Sequence, residues 1–364
     1  MILKNLKQVN TVLFFFFLLI VALYYGSAFF IPLAFATFFA ALIVPVSNFL
    51  ENKWGLGRIS SSLVSTFIIF IGIGLIIYFL FRQLGVFLTD LIERKEEIRD
   101  YISFLQQQIT ESTGFSVYQQ EEMLRERLGF FIEMLQSIIS NFLAGLTGTL
   151  VNFLLVLIYI LLLLINRDKF VDFIMMYVSD EKKQQTREIM DRIQRVAHKY
   201  LWGRLQVMLL LGVMYAITFY AYGLEHASLL IVFGVIITII PYIGPLLSGV
   251  LPVLFMIIFG GSNLEIISFT IIVLIIQLLE SYVAEPLIIG SEVHQSPLFV
   301  IIAIIIGGAL WGIAGMILFV PIFGILKIIF DNHPDLKPVG FLMGYERPGA
   351  GKDFFQKLKK KFKK

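Results

Sequence analysis

Apolar residues run in long, nearly unbroken blocks along this chain, at Val12–Tyr25 and on to Leu50, Ser61–Phe81, Leu143–Ile165, Val207–Tyr222, Ser228–Phe259, Ile266–Val283 and Leu298–Phe330. These blocks are apolar all round, and most reach the length of a bilayer crossing, so they predict membrane helices rather than amphipathic core helices. Two are too long for one ordinary crossing. As a straight helix, Ser228–Phe259 would measure roughly 48 Å against a hydrocarbon core of about 30 Å. Its middle reads Ile240-Pro241-Tyr242-Ile243-Gly244-Pro245, where each proline removes a backbone donor and crowds the preceding turn. Leu298–Phe330 carries Gly307, Gly308, Gly312, Gly315 and Pro321. Each overlong block is expected to break, either as a re-entrant hairpin or as a kinked full crossing. Broken backbone survives at membrane depth only where protein buries it or a wet cavity meets it.

The segments between the blocks set the remaining elements. Gly26, Ser27 and Pro32 are expected to turn the chain between the first two spans. A polar loop, Glu51–Arg58, precedes span three. From Arg82 to Ser140 ten acids face six bases, and two stripes, one from Leu84 to Ile109 and one from Leu124 to Phe142, predict an amphipathic helical hairpin turning at Thr110–Ser116. Its plainest role is packing against itself or its own membrane domain; a lid or subunit contact is the sharper alternative. From Arg167 to Arg204 nine bases face six acids, and Ile189, Ile193, Val196 and Tyr200 form one face of an interfacial helix. The stretch Gly260–Asn263 reads as a turn. At the C-terminal end Phe354, Phe355, Leu358 and Phe362 share a helical face among lysines, which suits either an anionic lipid surface or a solvated tail.

The expected fold is therefore all-α, a polytopic membrane protein of about seven to eight transmembrane segments, two of them broken or re-entrant, plus an extracytoplasmic helical hairpin. Residues 1–82 hold spans one to three, 83–142 the hairpin, 143–166 span four and 167–206 the cytoplasmic interfacial helices. Residues 207–330 form a transport core of two helix-plus-broken-segment units, and 331–364 a cytoplasmic basic tail. Lys4, Lys7, Lys53, Arg58 and the 167–204 segment should be cytoplasmic by the positive-inside rule, which places both termini inside. A signal peptide ending near Ala34-Phe35-Ala36 competes for the first block, but the apolar character continues to Leu50, so cleavage would cut through a second span.

Composition narrows the chemistry. The 364 residues are 58% hydrophobic and 15% charged, with a net charge of +3 and no cysteine; soluble domains carry about 25% charged residues. Without cysteine there is no disulfide, thiolate metal site or cysteine nucleophile. The histidines 198, 226, 294 and 333 lack metal-ligand spacing. No phosphate loop or nucleophile–base pair is evident, so an enzyme, a cofactor, a metal and a nucleic-acid partner are not expected.

What remains is transport. Paired interrupted helices point to a transporter's binding site. From Leu205 to Leu326 there is no Lys or Arg, which leaves Glu280 as a carboxylate inside a span that has to find a partner or water. Gln277 shares its helical face. Glu280 reads as a proton or cation site or as a ligand of a polar solute, and the plainer alternative is a helix-packing contact. Glu285 is expected nearer the interface. Arg204 and Gln206 stand where the chain enters span five; Arg204 is a topology anchor that could also pair with an acid. Pro241, Gly244 and Pro245 are proposed to free backbone groups along the path. Gly307 and Gly308 either do the same or serve close helix packing. Three functions stay open: a permease for a small polar solute, a cation/proton antiporter using Glu280, and a non-transporting scaffold binding a partner through the 83–142 hairpin.

Tyr200-Leu201-Trp202-Gly203-Arg204-Leu205-Gln206, Ile240-Pro241-Tyr242-Ile243-Gly244-Pro245, Gln277-Leu278-Leu279-Glu280 with Pro286, and Gly307-Gly308-Ala309-Leu310-Trp311-Gly312-Ile313-Ala314-Gly315-Met316 with Pro321 together resemble the autoinducer-2 exporter family of PerM-like bacterial permeases. The resemblance implies a multispanning exporter in the bacterial cytoplasmic membrane, assembled as a homo-oligomer, and linked in the family either to export of autoinducer-2 or to sodium/proton antiport. The family often has asparagine after the glutamate, where this chain has Ser281 and Tyr282. It often has histidine directly before the next proline, whereas His294 lies three residues before Pro297.

Overall fold

A computed structural model describes residues 2–93, 103, 107, 110, 152–259, 261–289 and 295–344. Apart from those three single positions, the predicted acidic hairpin beyond Glu93 lies outside them, as do the start of span four, residues 290–294 with Glu292 and His294, and the basic tail from 345.

The chain is all-α. The helices are α1 (Ile2–Tyr25), α2 (Ser27–Trp54), α3 (Arg58–Glu93), α4 (Asn152–Ile165), α5 (Arg167–Met176), α6 (Asp180–Ala221), α7 (Ala227–Ile237), α8 (Ile243–Ile258), α9 (Asn263–Leu279), a short α10 (Glu285–Ile288), α11 (Pro297–Asn332) and α12 (Lys337–Met343). Among the described residues, five helical spans are long and apolar enough to cross a membrane: α2, α3, α6, the run from Asn263 to Ile288, and α11. Shorter apolar helices accompany them at Asn10–Tyr25, α4, α7 and α8. This is a polytopic α-helical membrane protein.

Three boundaries depart from the sequence reading. Pro32 lies inside α2, and the turn before that helix is Gly26 alone. Span three continues to Glu93, because nothing after Phe81 except Gly85 opposes helix. The interfacial helix and span five are one rod of 42 residues, since no proline separates its polar half from its apolar half. The rod ends where a glycine is required. Gly223 has φ +59, its N–H donates to the Tyr220 carbonyl at 3.1 Å, and the Leu224 N–H donates to the Phe219 carbonyl at 2.9 Å. That double bond satisfies the last carbonyls of the helix.

The chain forms two compact units. One comprises residues 43–165 and 204–288. Its core gathers Leu211, Tyr215, Phe219, Leu224, Leu229, Leu230, Phe255, Phe269, Val273 and Ile276 around Phe87. On α6, Val207, Leu211, Tyr215 and Phe219 are buried at helical spacing, while Leu209, Val213 and Ile217 are exposed on the opposite face; an apolar outer face of this kind suits lipid. The overlong block 228–259 is here a helical hairpin. Gly234 on α7 packs beside Ser248 on α8, and Gly244 packs against Ile237 and Thr238, so the two helices run antiparallel. At about 1.5 Å per residue, neither arm reaches the ~30 Å of a full crossing. The reversal is tight. Tyr242 adopts φ 65 and ψ −48, and the Ile243 N–H donates to the Pro241 carbonyl at 2.8 Å, which is a γ-turn of positive φ.

After the hairpin, α9 begins at a capping box. The Ser262 hydroxyl accepts from the Glu265 N–H, and the Glu265 carboxylate accepts from the Ser262 N–H at 2.9 Å. Ser262 lies in the predicted turn, and its Ser-x-x-Glu spacing to Glu265 marks a helix start. Replacing Ser262 with alanine is expected to cost about 1 kcal/mol, read as a lower midpoint of thermal unfolding.

The other unit comprises residues 1–42, 166–203 and 289 onward. Its α11 is also folded back on itself. Trp311 (φ −130, ψ 15) and Gly312 (φ 59, ψ −138) interrupt the helix, and the arms meet so closely that a Cβ on Gly315 would fall on the Gly307 carbonyl. Ala303 and Ile304 on one arm bury Phe319 and Val320 on the other. The Trp311 indole stands edge-on to Phe319 at 5.3 Å and donates to the Leu23 carbonyl of α1 at 2.9 Å. Gln295 donates its amide to the Val320 carbonyl at 3.0 Å, which ties the entry of the hairpin to its returning arm. Both overlong blocks are hairpins, and the kinked-crossing alternative does not apply to either.

Candidate functional site

Two buried stripes build the site. On α6 the stripe Val207, Leu211, Tyr215, Phe219 begins one turn after Arg204. On α9 the stripe Phe269, Val273, Ile276 continues into Glu280. The helices run antiparallel, with Phe219 against Phe269 at one end (centroids 5.5 Å apart) and Arg204 against Glu280 at the other. Helical spacing therefore forces both charged side chains into the contact.

A π-helical turn, Glu280–Ala284, joins α9 to α10. Its physical cause is Pro286, which has no N–H to offer the carbonyl four residues back and whose ring crowds that carbonyl. The turn widens, and the Glu285 N–H reaches the Glu280 carbonyl instead. Single π-turns of this kind recur at functional sites. This one presents Glu280 and Glu285 to the same guanidinium.

Arg204 Nη1 lies 3.6 Å from Glu280 Oε1 and 3.6 Å from Glu285 Oε1. The arginine side chain is 7% exposed, that of Glu280 2% and that of Glu285 45%, so the pair with Glu280 is desolvated and the pair with Glu285 is not. A separation of 3.6 Å is an ion-pair contact beyond hydrogen-bond length. Glu280 Oε2 accepts the Ser281 hydroxyl at 3.1 Å. Glu280 Oε1, Arg204 Nε and Arg204 Nη2 are buried with no hydrogen-bond partner among the described residues. Orphans of this kind are uncommon in native proteins, and each requires an explanation.

Beside this pair lies a neutral polar cluster. Gln277 donates its amide to Tyr215 Oη at 2.6 Å and to Ser248 Oγ at 3.0 Å. Tyr215 donates to Ser248 at 3.2 Å, and Ser248 donates to the Pro245 carbonyl at 3.2 Å. The chain of donors crosses from α9 through α6 to the first hairpin. Gly249 makes room for it, since a Cβ there would sit 3.4 Å from the Gln277 amide nitrogen. Gln277 Oε1 has no hydrogen-bond partner among the described residues.

The structure thus brings together Arg204, Gln277, Glu280 and Glu285, and connects Pro245 to them through Ser248. Pro241 and Gly244 belong to the hairpin reversal. Gly244 is buried against Ile237 and Thr238. Gln206 is exposed and is not in the cluster. Gly307 and Gly308 belong to the other unit, where Gly307 packs on Gly315 and Gly308 on Met316. Sequence reasoning missed Tyr215, Ser248 and Ser281 as members. A signal existed for Tyr215: its hydroxyl sits in an apolar stripe, and a buried hydroxyl needs a partner. Among the described residues no group of three or more His, Cys, Asp or Glu could hold a metal ion.

Comparison with known proteins covers this whole arrangement. The profile of the family described as "AI-2E family transporter" matches residues 13–335. "Putative transport protein YrrI" of Bacillus subtilis (strain 168) is 28% identical over 307 residues, 82% of this chain and 85% of the relative. "Putative transport protein YueF" of the same organism is 26% identical over 319 residues, 84% of each chain. "Putative transport protein YhhT" of Escherichia coli (strain K12) is 21% identical over 318 residues, 87% of this chain and 88% of the relative. With the family match spanning every described residue of the site, the chain belongs to the AI-2E family of membrane transporters.

Proposed function

We propose that this transporter is a permease for a small polar solute, with the first hairpin, Gln277, Glu280 and Arg204 forming its solute site. The observation that carries this reading is the buried Glu280, whose Oε1 meets Arg204 only at 3.6 Å and has no hydrogen-bond partner among the described residues. A purely structural ion pair is expected to close to hydrogen-bond length; a site that exchanges partners keeps such groups undercommitted. The hydroxyls of Tyr215 and Ser248 and the amide of Gln277 suit a hydroxylated solute, a class that includes autoinducer-2. The permease works as a homo-oligomer in the bacterial cytoplasmic membrane, with both termini cytoplasmic, without a cofactor and without an enzymatic step.

A second reading is supported by the two acids at equal distance from Arg204. Glu280 and Glu285 compete for one cation, and an external cation or proton could enter that competition, which is cation/proton antiport. One experiment separates the two. Wild type and Glu280→Gln are reconstituted into proteoliposomes, and solute flux is measured with and without a sodium or pH gradient. The permease reading expects flux of polar solute to fall at least about tenfold in Glu280→Gln, because a neutral amide cannot make and break the charged contact with Arg204 on which partner exchange depends. Sodium-dependent proton exchange in place of solute flux selects the antiporter. Unchanged flux in the variant removes Glu280 from the path and sinks both.

A further inference from the structure

Arg204 uses one of its guanidinium nitrogens and leaves an edge. Nη1 serves both carboxylates, while Nε and Nη2 are buried with no hydrogen-bond partner among the described residues. Those two N–H groups point the same way from a planar group and form the fork that matches the two oxygens of a carboxylate or phosphate. Arginine, unlike lysine, presents this edge rigidly. A buried, uncommitted fork is costly to keep without a ligand to fill it.

The surrounding charges say when a ligand could fill it. Alpha-helix α6 contributes Arg204 and the Tyr215 hydroxyl, and the α9–α10 segment contributes Glu280, Glu285, Gln277 and Ser281. The first hairpin contributes Ser248, and its sequence from Ala227 to Ile258 contains no acid, base or histidine. With both acids ionised the group carries one net negative charge, which repels an anion. With a proton on Glu280 the group is neutral, and the guanidinium is released from its buried partner.

Resting on the solute site proposed above, we infer that the solute carries an oxyanion, which Arg204 takes through its Nε–Nη2 edge when Glu280 holds a proton. Anion and proton then occupy the site together, as an electroneutral pair. A planar carboxylate fits the single edge; a phosphate shares the chemistry and is the competing source.

The test is ligand-induced stabilisation of the full-length protein in detergent, with acetate, succinate and inorganic phosphate each titrated against chloride at matched ionic strength and at two pH values. The expected result is a midpoint of thermal unfolding raised by acetate or succinate, more strongly at the lower pH. In Arg204→Lys the apparent affinity should fall at least about tenfold, as for loss of one charged hydrogen bond. In Glu280→Gln binding should persist and lose its pH dependence. Stabilisation by phosphate alone keeps the oxyanion and reassigns its source. If Arg204→Lys fails to fold, the flat pH response of Glu280→Gln decides alone. The inference is overturned if none of the three anions exceeds chloride, if Arg204→Lys binds as the wild type does, or if Glu280→Gln keeps the pH dependence. Flux of an uncharged polar solute that still requires Glu280 would leave the permease reading standing while this one falls.

Discussion

Replacing Arg204 with glutamine destabilises the protein by about 3–5 kcal/mol, and adding Glu280→Gln to the same chain recovers most of that loss. The expectation rests on burial. Both side chains are more than nine-tenths buried, and among the described residues Glu280 has one side-chain hydrogen bond, from the Ser281 hydroxyl. Taking away the guanidinium leaves an ionised carboxylate in a low-dielectric contact, and that uncompensated charge is what costs. Removing both charges leaves two amides, which are far cheaper to bury. The measurement is thermal unfolding in detergent of the two single variants and the double variant. Flux should stay lost in the double variant, since stability returns without the charges that bind. A loss below about 1 kcal/mol for Arg204→Gln, the range of an exposed pair, would show that water reaches the site freely.

The second large effect lies in the other unit. Gly315→Ala is expected to cost about 3 kcal/mol, at the upper end for overpacking, because the new methyl would land on the Gly307 carbonyl and a backbone cannot step aside as a side chain does. Gly312→Ala should also destabilise, for a different reason. Nothing lies within 4 Å of a Cβ there, but φ 59 with ψ −138 is a conformation nearly reserved for glycine, costing about 1–3 kcal/mol. Gly74→Ala is the control: it sits in α3 with open space around it and should be neutral or stabilising by up to about 1 kcal/mol. Thermal midpoints of the three variants test the hairpin, since a straight α11 would make all three alike.

These contrasts show what a one-dimensional reading reaches. The blocks of apolar residues were enough for the helices, because a lipid environment leaves the backbone few alternatives. The breaks at Pro241–Pro245 and near Gly312 were visible in composition. That both are hairpins was not, because chain reversal depends on what each arm meets, and Gly244 and Gly315 declare their close contacts only in space. Glu280 was legible as a costly acid, and its pairing with Arg204 was foreseen only as a possibility, since 75 intervening positions separate them. Tyr215 and Ser248 look like ordinary span residues until Gln277 bonds both. The family match runs from residue 13 to residue 335 and so contains every motif that carried the resemblance.

The widened turn at Glu280–Ala284 has one residue more than its length of axis needs. Such an excess is mobile in principle: it can be handed along a helix residue by residue, and each transfer rotates the positions it passes by about 100° and advances them by about 1.5 Å. Pro286 has no N–H to carry the widened pattern forward, so a step can only go toward Leu279, which would swing Glu280 off the guanidinium and leave Glu285 facing it. A change of register too small to disturb the rest of the fold would thus decide how many acids share a single base.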